Sequence, residues 1–141
     1  GYAALKSKHY FRKKKSMRIL LFIGVLLMAS CSESQVNEVK EKAGHQVVNA
    51  EKFKEMLAEE GIQLVDVRTA AEYSQGTLND AVNIDVLASD FQTKIAELDK
   101  SKKTLIFCKA GGRSGRAGKI MEEMGFETVV DLSGGYGSWP Y

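Results

Sequence analysis

Short apolar, β-branched runs alternate with stretches of helical spacing along most of this chain, and that alternation restricts it to few architectures. Val47-Val48 opens a strand, and Asn49 stands where it caps a helix over Ala50 to Glu60, with Phe53, Met56 and Leu57 on one face and Gly61 as the stop. Ile62 to Val67 is dense in apolar residues and reads as a buried strand, and Ala81 to Ile84 as a third. Asp90 to Leu98 follows as a helix with Phe91, Ile95 and Leu98 along one side. Thr104 to Phe107 is a fourth strand, Ser114 to Met124 a helix closed by Gly125, and Glu127 to Val130 a fifth strand. Strands and helices in this order predict an α/β fold: a small three-layer domain with a mostly parallel five-stranded sheet flanked by helices. Ligands of such sheets collect beyond the carboxyl ends of the strands.

The 141 residues fit one such domain, over 47–141, because the first third reads as an address. From Met17 the sequence MRILLFIGVLLMASCS gives a short basic start, an apolar run from Ile19 to Ala29, two small residues and then Cys31. Eleven apolar residues are too few to cross a bilayer core, which takes about 20. The cysteine behind Ala29 and Ser30 resembles the bacterial lipobox, with Met28 where a leucine is usual. That resemblance implies a signal peptide over 17–30, acylation of Cys31, and a polar tether over 31–46 that holds the domain off an envelope membrane, facing the periplasm. Ser32 behind the cysteine favours the outer membrane, and a soluble periplasmic form is the alternative. Residues 1–16 are expected to be upstream sequence or a misassigned start, with translation from Met17; a long basic leader is the other reading.

Charge separates along the same boundary. Seven of the 20 basic residues lie in 1–18, where there is no acid, so the remainder carries 13 basic against 18 acidic side chains. A body with net charge −5 lacks the basic face that nucleic acid requires.

Chemistry concentrates in residues 104–119, TLIFCKAGGRSGRAGK: a strand, Cys108, a glycine-bearing turn, Arg113 and a helix. Gly111 and Gly112 allow successive amides to aim inward as an anion-binding nest, and the helix adds the positive end of its dipole. A thiol at the mouth of this cradle ionises easily, and Arg113 adds a fixed positive charge. Cys108 therefore has the setting of a nucleophile without a histidine. His9 and His45 lie outside the domain in this reading, which leaves no Cys–His dyad, and Cys108 has no neighbour at metal-ligand spacing. The plain alternative, a small apolar cysteine ending a buried strand, does not account for the glycines, arginine and helix start that follow in order.

Three segments together resemble the rhodanese family over about Val47 to Trp139: LVDVRTAAEYSQGTLNDAVNI (Leu64 to Ile84), CKAGGRS (Cys108 to Ser114) and LSGGYGSW (Leu132 to Trp139). The resemblance implies a rhodanese-like domain and a sulfurtransferase. Cys108 would take the outer sulfur of a small anionic donor such as thiosulfate and pass it from a persulfide to cyanide or a thiol. No cofactor is implied. Lys109, Ala110, Gly111, Gly112 and Arg113 would bind the donor, with Arg116 and Lys119 adding positive charge. Asp66, Arg68 and Glu72 match an Asp-x-Arg-x-x-x-Glu element and are expected to be structural: Arg68 and Glu72 are four apart and can pair, and Asp66 can bind nearby backbone amides. The family's usual Gly-His-Ile is Gly76, Thr77 and Leu78 here, and its Ile-Pro is Ile84 and Asp85. Trp139 is expected as a core or lid aromatic.

The same residues argue against other functions. Cysteine phosphatases and arsenate reductases place five residues between Cys and Arg, whereas four stand here, a smaller ring that suits a persulfide. A non-catalytic binding module fits poorly with a chain that has both Cys108 and Arg113. A disulfide oxidoreductase needs a resolving thiol, and an acylated Cys31 supplies none.

Overall fold

The computed structural model describes residues 42–141. The start at Met17, the apolar run, Cys31 and most of the tether lie outside the described residues.

Five strands form one sheet in the order β1-β5-β4-β2-β3, with every pairing parallel. They are β1 (Gly44–Val48), β2 (Gln63–Asp66), β3 (Val82–Asn83), β4 (Thr104–Phe107) and β5 (Thr128–Leu132). Helix α1 (Ala50–Leu57) starts as the sequence predicts, with the Asn49 side chain accepting from the Lys52 amide at 2.9 Å. It ends at Leu57, short of the expected Glu60. Helix α3 covers Phe91–Ile95 rather than Asp90 to Leu98, yet Leu98 still packs on the core.

Side-chain alternation along the central strands sorts the core into two layers. On one face Phe53 and Met56 of α1 meet Leu105 and Phe107 of β4 and Val130 and Leu132 of β5. On the other, Phe91 and Ile95 of α3 and Ala117 and Met121 of the helix after β4 meet Ile106, Cys108 and Val129. Helices thus cover both faces, as the alternation of elements predicts. Each fully buried aliphatic or aromatic side chain contributes roughly 1.5–3 kcal/mol, so the carboxyl ends of β4 and β5 are firmly held.

Two boundaries and one additional helix differ from expectation near the site. β1 starts three residues ahead of the expected Val47, because its ladder to β5 pairs Gly44 with Thr128 and His45 with Val129. Polar side chains there break the apolar pattern without breaking the backbone pairing, so His45 belongs to the sheet and not to the tether. Helix α4 (Gly112–Glu123) begins two residues before the expected Ser114, since Gly111 caps it in the left-handed region at φ 97°. A four-residue helix, α2 (Ala70–Tyr73), has no counterpart in the sequence reading. Thr69 and Glu72 close a capping box around its first turn.

Candidate active site

Cys108 follows the last residue of β4 and turns toward the α4 face, as Ile106 does two positions earlier. From there the chain runs through Lys109, Ala110 and Gly111 into α4. The outer side of this loop is tied to a 3-10 turn, Tyr136–Ser138: the Tyr136 amide donates to the Cys108 carbonyl at 2.7 Å and the Gly137 amide to the Lys109 carbonyl at 2.9 Å. In a trans peptide the N–H points opposite to the C=O. Anchoring the Lys109 carbonyl outward therefore turns the Ala110 amide of the same peptide toward the sulfur. Gly111 N–H reaches Cys108 Sγ at 3.1 Å, and the Ser114 hydroxyl lies 3.4 Å from it.

Two opposing effects set the thiol. Burial pushes it up, since Cys108 is 1% exposed. The Ser114 hydroxyl and the amides of Ser114, Ala110 and Gly111 pull it down, and together they win, leaving the thiol below its ordinary value. The sequence-predicted nest is present, with Gly111 as the left-handed cap and Gly112 as the first helical residue rather than as part of the loop. Ser114 was absent from the expected site residues. Its signal was a hydroxyl in the first turn of the helix, placed to face back at the thiol.

The acidic and basic residues pair differently from expectation. Arg68 does not pair with Glu72. Its guanidinium grips both oxygens of Asp66, with Nη2 at 2.6 Å from Oδ2, and also donates to the Gly76 carbonyl at 2.6 Å. Asp66 and Arg68 are almost fully buried, and Asp66 accepts from the Arg68 amide as expected. Thr77, in the family's histidine position, donates to Asp66 Oδ2 at 2.9 Å, so this buried carboxylate is well satisfied. The Arg68 guanidinium lies 4.2 Å above the Tyr136 ring and so supports the turn that anchors the loop.

Glu72 pairs instead with Arg113, in a two-pronged contact at 2.6 and 2.7 Å. Helical spacing offered Arg68 to Glu72, but the capping box turns that carboxylate toward α4. The Arg113 guanidinium holds the Glu72 carboxyl down at about 2. The pair is thus complete above the ordinary carboxylate range and is lost only as pH falls through about 2. Arg113 remains close enough to Cys108 for the two charges to favour each other.

Lys109 is exposed and lines a pocket of about 210 Å³ with Arg68, Glu72, Gln75, Tyr136 and Gly137. Arg116 and Lys119 line a separate groove with His45 and Gly112. Trp139 packs edge-on against Phe53 at 6.0 Å, part of the core as expected.

Comparison with known proteins agrees with this geometry. Residues 49–140 match the Rhodanese-like domain family. A sulfurtransferase of Allochromatium vinosum is 31% identical over 93 residues, which cover 65% of this chain and 85% of that protein. A tRNA uridine(34) hydroxylase of Cytophaga hutchinsonii is 40% identical over 86 residues, 59% of this chain but 28% of that protein. Among solved structures, a rhodanese-related protein from Thermoplasma volcanium superposes with a TM-score of 0.59 at 29% identity, covering 67% of this chain and 89% of that one.

The loop's dependence on its anchor is testable at Gly135, where φ 63° and ψ −164° are open to little but glycine. A Cβ there would run into the Cys108 carbonyl oxygen and lie 2.7 Å from the Ala110 nitrogen. Gly135→Ala is expected to cost roughly 2–4 kcal/mol in denaturant unfolding. It should also slow alkylation of Cys108 in the protein that still folds.

Proposed function

The chain belongs to the rhodanese-like domain family, and on that premise we propose that it is a sulfurtransferase moving a sulfane sulfur from thiosulfate, or a similar small anion, to cyanide or a thiol. The observation that carries this reading is the ring of amides and hydroxyl around Cys108 Sγ. The thiolate attacks the outer sulfur of thiosulfate. A bond forms between the two sulfurs, the bond to the sulfite sulfur breaks, and its electron pair leaves with sulfite. The acceptor then attacks the outer sulfur of the persulfide, leaving as thiocyanate when it is cyanide, and the thiolate returns. The ring of donors that stabilises the thiolate also suits the terminal persulfide anion. Arg113, tied to Glu72 and near the sulfur, and Lys109 at the pocket provide positive charge for the donor. The hydroxylase relative shares only a domain-sized part of its length with this chain, so its name bears on the domain and not on the reaction.

Incubating the protein with thiosulfate is expected to leave Cys108 one sulfur atom heavier by mass spectrometry, with no such gain in Cys108→Ser. Failure with thiosulfate, mercapto acids and persulfide donors alike would favour a non-catalytic binding module. Arg113→Ala should lower thiosulfate turnover roughly 10- to 100-fold, the loss of one charge-assisted contact. Its melting temperature should fall only slightly; equal losses in both would mark Arg113 as merely structural.

We also propose that Cys31 is acylated and holds the domain on the periplasmic side of a bacterial envelope membrane, the reading that the apolar run and the small residues before Cys31 support. Labelled fatty acid supplied to a bacterial host should enter the full chain and be lost in Cys31→Ser. Equal labelling of both rejects the anchor.

A further inference from the structure

Two arginines stand at the pocket beside the Cys108 loop, and each is already bound to a carboxylate. Arg68 lines the wall and is held by Asp66. Arg113 reaches the same wall only through Glu72, whose two oxygens fill its fork at 2.6 and 2.7 Å. The side chain of Lys109, which also lines the pocket, has no hydrogen-bond or ion-pair partner among the described residues. An anion entering this space therefore meets one unpaired cation and the carboxylate of Glu72.

A doubly charged donor such as thiosulfate is only half compensated by Lys109. A second cation has to leave its partner, and burial decides which. The Asp66 side chain is 0% exposed, so freeing Arg68 would strand that charge inside the protein. Glu72 and Arg113 are each 26% exposed, and water reaches both groups as they part. Glu72 also keeps donors of its own when the guanidinium leaves, because its Oε2 accepts from the Thr69 hydroxyl at 2.9 Å and from the Thr69 amide at 3.2 Å. Its carboxyl is held down at about 2, so it competes as a full anion at every pH where the sulfur is a thiolate.

We propose that Glu72 is a specificity-determining residue: it occupies the anion fork of Arg113 until an oxyanion donor displaces it, and so favours donors whose oxygen face binds a guanidinium better than a carboxylate does. This deepens the reading of Cys108 as the sulfur carrier and rests on it. No covalent bond changes in the exchange. Arg113 releases Oε1 and Oε2 of Glu72, takes two oxygens of the donor's sulfonate face, and returns to Glu72 as sulfite departs. Arg113 stands between Gly112 and Ser114 in the first turn of α4, and the Ser114 hydroxyl lies 3.4 Å from the sulfur, so the fork belongs to the turn that cradles the attacking atom. A lone carboxylate from solution has no such advantage over Glu72, which is held in place by the fold, and leaves the pair shut.

The test compares two alkylating reagents that share a reacting carbon and a leaving group: iodoacetate, which carries a carboxylate, and iodoacetamide, which is uncharged. The ratio of their rates at Cys108, followed by mass on the full chain, cancels any change in the amount of thiolate. Glu72→Gln keeps a residue that serves in the capping box and frees the fork. It should raise the iodoacetate-to-iodoacetamide ratio roughly 10-fold, the contribution of one charge-assisted contact. In an Arg113→Ala background the same substitution should raise it by about 2-fold or less, the effect of screened charge repulsion alone. The KM for thiosulfate should fall in Glu72→Gln without a rise in kcat. An unchanged or lower ratio in folded Glu72→Gln overturns the proposal, and so does an equal gain with and without Arg113. If the variant does not fold, sulfite is titrated into the wild type and the Glu72 carboxyl carbon followed by NMR. Its resonance should move to a saturable end point, and one that stays in place overturns the exchange. Neither readout needs sulfur transfer, so a wild type that takes sulfur from no donor defeats the sulfurtransferase reading instead and leaves the ratio readable.

Discussion

Everything distinctive about this domain follows from the way one short loop is held from outside. The carbonyls of Cys108 and Lys109 are bound by amides of the 3-10 turn at Tyr136, and the anchor on Lys109 turns the Ala110 amide of the same peptide toward the cysteine sulfur. Gly135 lets the turn come close enough to do so. A loop tied in this way pays little reorganisation when charge appears on sulfur, because its dipoles already point there. The sheet supplies the other half of the constraint: β4 delivers Cys108 from the centre of the core, between β5 and β2.

Two carboxylate–guanidinium pairs extend the anchoring to the rest of the fold. Asp66 and Arg68 are buried together, and the Arg68 plane lies over Tyr136, so the end of β2 supports the turn that supports the loop. Glu72 caps α2 and holds Arg113 in the first turn of α4. A buried pair of this kind contributes little net stability against a well-packed apolar replacement. Its value here is geometric: it fixes the arginines and the elements that carry them.

Much of this was legible in the sequence, and the reasons are local ones. Periodicity placed the five strands and the helices after β1, β3 and β4, Asn49 announced its cap, and the order Cys108, glycines, Arg113, helix described the amide nest. What the sequence hid depends on distant partners. Spacing offered Glu72 to Arg68, but the Thr69 capping box and the approach of α4 give it to Arg113. His45 looked like tether because a polar residue in an edge strand breaks no backbone ladder. Asp131 stood in an apolar β-branched run, VVDL, and a lone acid in such a run was a signal of a buried polar site.

The central claim is that the inward-facing amides and the Ser114 hydroxyl hold the Cys108 thiol below its ordinary value although the residue is 1% exposed. Thiolate absorbance at 240 nm, titrated as the difference between wild type and Cys108→Ser, measures this directly. A midpoint clearly below that of an ordinary cysteine is predicted. A midpoint at or above the free-cysteine value of about 8.5 would contradict the account.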